Sequence, residues 1–147
     1  MKTAIVTIAA LAAFVGASHS AGWSASQHEE DWGPFCTVTH AHALGATLGF
    51  HGAPGGYAAA LLDFRQESYP DEVTSVWQVD DGKAYQLRGG LNDYFGYLEM
   101  ELHDLGLLNA VASGRKLTVS LDGIGQINVP LDGSGAAIST FRTCLSG

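Results

Sequence analysis

Lys116-Leu117-Thr118-Val119-Ser120-Leu121-Asp122-Gly123-Ile124-Gly125-Gln126-Ile127-Asn128-Val129-Pro130-Leu131 is two alternating runs around a turn. Leu117, Val119 and Leu121 share one face of the first run; Ile127, Val129 and Leu131 share one face of the second. A period of two marks a strand with one buried face, because successive side chains leave opposite sides of the pleat. Asp122-Gly123 supplies the turn, since glycine accepts the positive φ that short hairpin loops need. The stretch predicts a β-hairpin, and the same pattern recurs upstream.

Val73, Ser75, Trp77 and Val79 alternate with Thr74, Val76 and Gln78, Asp80-Asp81-Gly82 forms a hairpin loop, and residues 83–87 return as far as Gly89-Gly90. Residues 94–100 predict another strand, because Tyr-Phe-Gly-Tyr suits a pleated surface. Residues 23–27, 35–42 and 46–50 predict three more, with a break at Leu44-Gly45. In the second of these, Cys36, Val38 and His40 share one face and Phe35, Thr37 and Thr39 the other. Residues 52–56, Gly-Ala-Pro-Gly-Gly, form a loop, and the Ala-rich run 57–64 fits either a strand or a short helix. Twice the period changes. Leu102, Leu105, Leu108 and Val111 recur at helical steps up to Gly114, and Ala137, Phe141, Cys144 and Leu145 form a helical stripe after Asp132-Gly133-Ser134. The fold expected is mainly β (α+β): an antiparallel β-sandwich-like domain with two short helices, the second at the C-terminus.

Met1-Lys2-Thr3 followed by the apolar run 4–15 has the pattern of a secretory leader, and small residues from 16 to 21 offer cleavage positions. The run is shorter than the roughly 20 residues a spanning helix needs. We therefore expect a signal peptide over 1–21, a single disulfide-stapled domain over 22–147, export to the periplasm or exterior, and no integral membrane segment afterwards. Two cysteines in an oxidising compartment predict one bridge, Cys36–Cys144. Closing a loop of that length removes on the order of 4 to 5 kcal/mol of unfolded-state freedom in the chain-entropy account.

Without Lys2 the remaining chain carries six Lys and Arg against fifteen Asp and Glu, a formal charge of −9. Nucleic acids and anionic lipids are held by clusters of Lys and Arg; Arg115-Lys116 is the nearest approach to one, so neither is an expected partner. No cofactor motif is present: the loop 52–56 lacks a following Gly-Lys-Ser/Thr and a Rossmann-like setting.

His40 and His42, two apart on a strand, would place both imidazoles on one side, as in an H-x-H metal pair, with His28, Glu29, Glu30, Asp31 and His51 near in sequence as further ligands. The plain alternative is a strand-end histidine with a hydrogen-bond partner. Gly133-Ser134-Gly135 reads as a helix cap rather than a nucleophile. Among the carboxylates, Asp63, Asp71, Glu72, Asp80, Glu99 and Glu101 have no neighbour that marks a catalytic pair, and Glu99 and Glu101 read as the wet side of a sheet. No catalytic residue is assigned and no enzyme activity is expected. Trp32, Trp77, Tyr94, Phe95 and Tyr97 are candidates for a binding face, set against a share of them in the core.

Trp23, Cys36, the run 105–111, the strand 117–121, Val129-Pro130-Leu131-Asp132-Gly133, Ala137, Phe141 and Cys144 together resemble the small exported Gram-negative proteins related to the invasion-associated locus B family. The resemblance implies a periplasmic or secreted β-sandwich-like protein without known catalysis, in a family with some members linked to host-cell invasion or stress. The His-rich segment 28–51 and the glycine loop depart from that pattern, and the extra cysteines of some relatives are missing. The expected function is binding of a protein or envelope component through aromatic and acidic surface. Alternatives are inhibition of an exported cationic hydrolase, to which an acidic surface is complementary, and metal binding at His40 and His42.

Overall fold

The computed structural model describes residues 18–20 (by backbone), 22–42, 45–55 and 57–147. Apart from 18–20 and 22, the expected leader and the small residues that follow it lie outside the described residues. In chain order the elements are β1 (Ser18–Ser20), β2 (Trp23–Glu30), β3 (Gly33–Ala41), β4 (Thr47–Gly52), β5 (Ala58–Asp63), β6 (Val73–Val79), β7 (Ala84–Asn92) and β8 (Tyr97–Glu101). Helix α1 (Gly106–Ser113), β9 (Lys116–Leu121), β10 (Gly125–Pro130) and α2 (Ser134–Ser146) complete the domain.

All pairings are antiparallel, in the order β10-β9-β6-β7-β8-β5-β4-β3-β2-β1. The hairpin 116–131 forms with Leu117 opposite Val129 and Val119 opposite Ile127. The sheet then doubles over on itself. Phe50 of β4 and Trp77 of β6 are far apart in strand order, yet their ring centroids lie 5.5 Å apart across the core. At the far end the Trp23 indole N–H donates to the Pro130 carbonyl at 3.0 Å, so the last strand comes back beside β2. This doubling makes the domain sandwich-like. Inward positions Val38, Leu48, Phe50, Leu62, Trp77, Leu98, Met100 and Val119 fill it, each worth about 1.5 to 3 kcal/mol for a fully buried large side chain.

The run 57–64 is a strand, β5, paired on both sides: Ala60 lies opposite Phe50 of β4 and Met100 of β8. A central strand covered on both faces loses its polar alternation, which is why periodicity left helix and strand open. Helix α1 begins later than its leucine spacing implied. Leu102 precedes it, Leu105 is 56% exposed, and Leu107, Leu108 and Val111 form the buried face. Helix α2 starts after Gly133, at φ 82°, without a side-chain cap. Ser134 is therefore not a cap: its hydroxyl is buried and donates to the Val111 carbonyl at 2.6 Å, tying the two helices. Cys36 of β3 and Cys144 of α2 stand at disulfide distance, Cα–Cα 5.9 Å, on the core side of the helix. Among the described residues no helix is long and apolar enough to cross a membrane.

Candidate binding site

The outward face of the sheet carries the groups that the core leaves over. On β3, β4 and β8, Phe35, His51, Tyr97 and Glu99 alternate with inward Cys36, Phe50, Leu98 and Met100. In register, His51 faces Thr37 and Ala59, and Ala59 faces Glu101. Ala59, small and on the same face, leaves room for the His51 ring and the Glu99 carboxylate to meet above β5. Between β7 and β8, Asn92 organises the turn 93–96: its side-chain oxygen accepts from the N–H groups of Tyr94 at 2.9 Å and Phe95 at 3.1 Å. That Asx-type capture aims both rings back over the sheet.

Phe95 becomes the centre of a stack. Its ring lies on Phe35 at 5.1 Å and 13°, and on Tyr97 at 5.3 Å and 5°. Trp32, from the two-residue turn between β2 and β3, meets Tyr94 at 5.6 Å and Phe35 at 6.1 Å, both edge-on. These offset and edge-to-face geometries are the favourable ones for aromatic pairs. Beneath the stack His51 is fully buried, its ring 5.0 Å from Phe35 and 5.7 Å from Tyr57.

His51 is satisfied at both nitrogens. The Tyr97 hydroxyl donates to Nδ1 at 2.7 Å, and Nε2–H donates to the Glu99 carboxylate. The second oxygen of that carboxylate accepts from the Asn92 amide at 3.0 Å, and the Tyr57 hydroxyl lies near enough to feel the Glu99 charge. Burial lowers the His51 pKa despite the opposing pull of Glu99, which matches a neutral ring with one donor and one acceptor. Burial, then the Glu99 charge, pushes the Tyr97 phenol far above its ordinary value, and burial raises Tyr57 as well. A phenol, an imidazole and a carboxylate in line form the pattern by which a base activates a hydroxyl. Here the imidazole is enclosed under Phe35 and Phe95, and it joins the Tyr97 hydroxyl to the Glu99 carboxylate.

Three rings remain open to solvent: Trp32 at 54%, Tyr57 at 50% and Tyr94 at 67%. They border a ledge whose floor is Phe35, Phe95 and Tyr97. Tyr94 donates its hydroxyl to Glu30 at 2.9 Å. Beyond Tyr57 a cleft of about 1120 Å³ continues toward the helices, with Glu99 in its wall and Arg88, Leu105 and Arg142 farther along.

The sequence candidates divide between two places. Trp32, Tyr94, Phe95 and Tyr97 come together on the ledge, whereas Trp77 is fully buried in the core, where its N–H donates to Ser75. His28 and His51 both touch Phe35 on the outer face. His40 lies inward against Trp23, at 5.2 Å, and the Nε2–H of His42 donates to the Asn128 carbonyl at 3.0 Å. Burial, then His42, lowers the His40 pKa, and its Nδ1 is buried without a hydrogen-bond partner among the described residues. Among those residues no three His, Cys, Asp or Glu side chains converge as a metal site. Sequence reasoning missed Glu99, His51, Asn92 and Tyr57 as one unit. The available signal was polar residues at outward positions of central strands.

Fold and site together define a doubled-over antiparallel domain with a fixed, partly exposed aromatic ledge. No family model matches the sequence, and no curated protein does. Among solved structures, invasion associated protein B from Bartonella henselae has the same fold: TM-score 0.60, with 86% of this chain and 95% of that chain covered at 15% identity. The likeness agrees with the resemblance read from the cysteines and the C-terminal hairpin.

Proposed function

We propose that this chain is an exported, non-enzymatic domain that binds a protein or an envelope component through the aromatic ledge. The observation that carries the reading is the exposure of Trp32, Tyr57 and Tyr94 together, beside rings that are stacked and buried. Large aromatics left in solvent as a group mark recognition surfaces, and Trp and Tyr are the residues that most often dominate interface energies. The hydrogen-bonded layer below holds the ledge in one arrangement, so little side-chain entropy is lost on binding. Export is supported by the leader-like residues 1–21 and by the paired cysteines. The structural neighbour is named for invasion, a role this reading does not need.

The test is capture from an envelope extract on immobilised protein. Trp32→Ala, Tyr57→Ala and Tyr94→Ala combined should abolish retention of whatever the unaltered chain captures specifically. Gln126→Ala, at an exposed position of β10, should leave retention intact. Equal capture by the ledge variant and the unaltered chain would sink the proposal.

A further inference from the structure

We propose that the ledge takes a polypeptide segment bearing several Lys or Arg side chains; this partner class rests on the ledge being the docking surface. Its rim is built from residues 27–36, residues 92–97, and residues 53–55 with Tyr57. Together they carry Glu29, Glu30, Asp31 and Asp93 and not one Lys or Arg. Two of those carboxylates act on the ring at the centre of the exposed end: Glu30 accepts the Tyr94 hydroxyl, and Asp31 adds its field at the same hydroxyl. At the opposite end Glu99 lies beside Tyr57. Cations are attracted to aromatic faces and to carboxylates alike, and guanidinium groups stack on rings while pairing with carboxylates. Nearby cations would oppose this; Arg88 and Arg142 lie in the cleft beyond Tyr57, and Arg65 lies beside Asp93 on the far side of the turn 93–96, where Asp63 and Glu67 accompany it.

The layout of the rings separates a chain from a single head group. A cage for one quaternary ammonium needs rings facing a common point. Here the exposed rings sit at two separate places on a closed cluster: Trp32 meets Tyr94 at 5.6 Å on one side, and Tyr57 lies on the other, in contact with the buried His51 at 5.7 Å. Carboxylates stand at both places, Glu30 and Asp31 at Tyr94 and Glu99 at Tyr57. Successive cations on an extended segment match successive ring and carboxylate positions, whereas a lone head group uses one of them.

The probe is a short oligo-arginine peptide, titrated by calorimetry into the full oxidised chain at low and at physiological salt, with oligo-lysine and phosphatidylcholine vesicles in parallel. Expected are saturable binding that weakens with salt and a stronger response to arginine than to lysine. Trp32→Ala, Tyr94→Ala and Asp31→Asn should each weaken affinity by about tenfold. Asp122→Asn removes the same charge at the β9–β10 turn and should leave affinity unchanged. A loss with Asp122→Asn as large as with Asp31→Asn would reduce the binding to net charge and overturn the inference. So would ring variants without effect, or binding to the vesicles in place of the peptide. If oligo-arginine fails to bind while the triple ledge variant still loses its extract partner, the docking surface stands and the cationic partner falls. If that variant keeps the partner as well, both fall.

Discussion

Two buried histidines lie on opposite sides of neighbouring strands, and they are handled differently. His51 faces outward on β4 and yet has no solvent contact, because rings close over it and both nitrogens are paired. His40 faces inward on β3, rests against Trp23, and leaves Nδ1 without a partner among the described residues. A satisfied buried polar group specifies one arrangement, while an unsatisfied one costs its desolvation. The outer network therefore shapes a surface, and the inner histidine fills space where the ends of the sheet meet. On this domain the satisfied buried polar groups therefore lie under the ledge, at the place proposed for recognition.

Four measurements bear on this difference between the two histidines and their surroundings. The largest effect belongs to the covalent tie on β3, since Cys36 lies between Phe35 on the ledge side and His40 on the core side. Reducing Cys36–Cys144 should lower stability by about 4 to 5 kcal/mol in urea titrations, loosening both regions together. A loss under about 1 kcal/mol would show that the tail helix holds without the bond. Next, His51→Leu strands the Glu99 carboxylate and the Tyr97 hydroxyl and should cost about 3 kcal/mol. His40→Phe removes an unpaired nitrogen at similar volume and should change stability by less than about 1 kcal/mol. Equal costs for the two would erase the distinction.

The third effect is on pH. Both histidines have folded-state pKa values below the unfolded value of about 6.5, so the unfolded chain takes up protons first as pH falls. Stability from this source is complete above about pH 6.5 and is lost below it, by up to about 1.4 kcal/mol per pH unit for each histidine. His40→Phe and His51→Leu should therefore each flatten the acid limb, because each removes a histidine whose folded-state pKa lies below its unfolded value. An acid limb left unaltered by both substitutions would refute the assignment. The smallest effect is Trp32→Ala, which should move stability by no more than about 0.5 kcal/mol, because the ring is more than half exposed. A large loss would make Trp32 part of the core rather than of a surface.

How much of this was legible depends on where the signal resides. The hairpin 116–131, the strand Val73–Val79 with its return, and the C-terminal helix carry their period in consecutive residues, and each formed. The pairing of Cys36 with Cys144 followed from there being two cysteines. The aromatics were named as candidates, but Trp77 had the same composition signal as Trp32 and lies in the core. Glu99 read as the wet side of a sheet because β8 alternates correctly; its partner His51 is on β4, two strands away, with β5 between them.

Neighbours within a few residues were enough to specify most strands and turns, the presence of both helices and the acidic character of segments 27–36 and 92–97, but not whether 57–64 is strand or helix. Only the tertiary structure decided that the sheet doubles over, that β5 is central, and that Trp32, Tyr57 and Tyr94 share one ledge above His51. Those features depend on strand order and on contacts between residues far apart in the chain, 64 positions for Glu30 and Tyr94 and 107 for Trp23 and Pro130. No local period encodes such contacts, because they form only when the outward faces of separate strands are brought side by side.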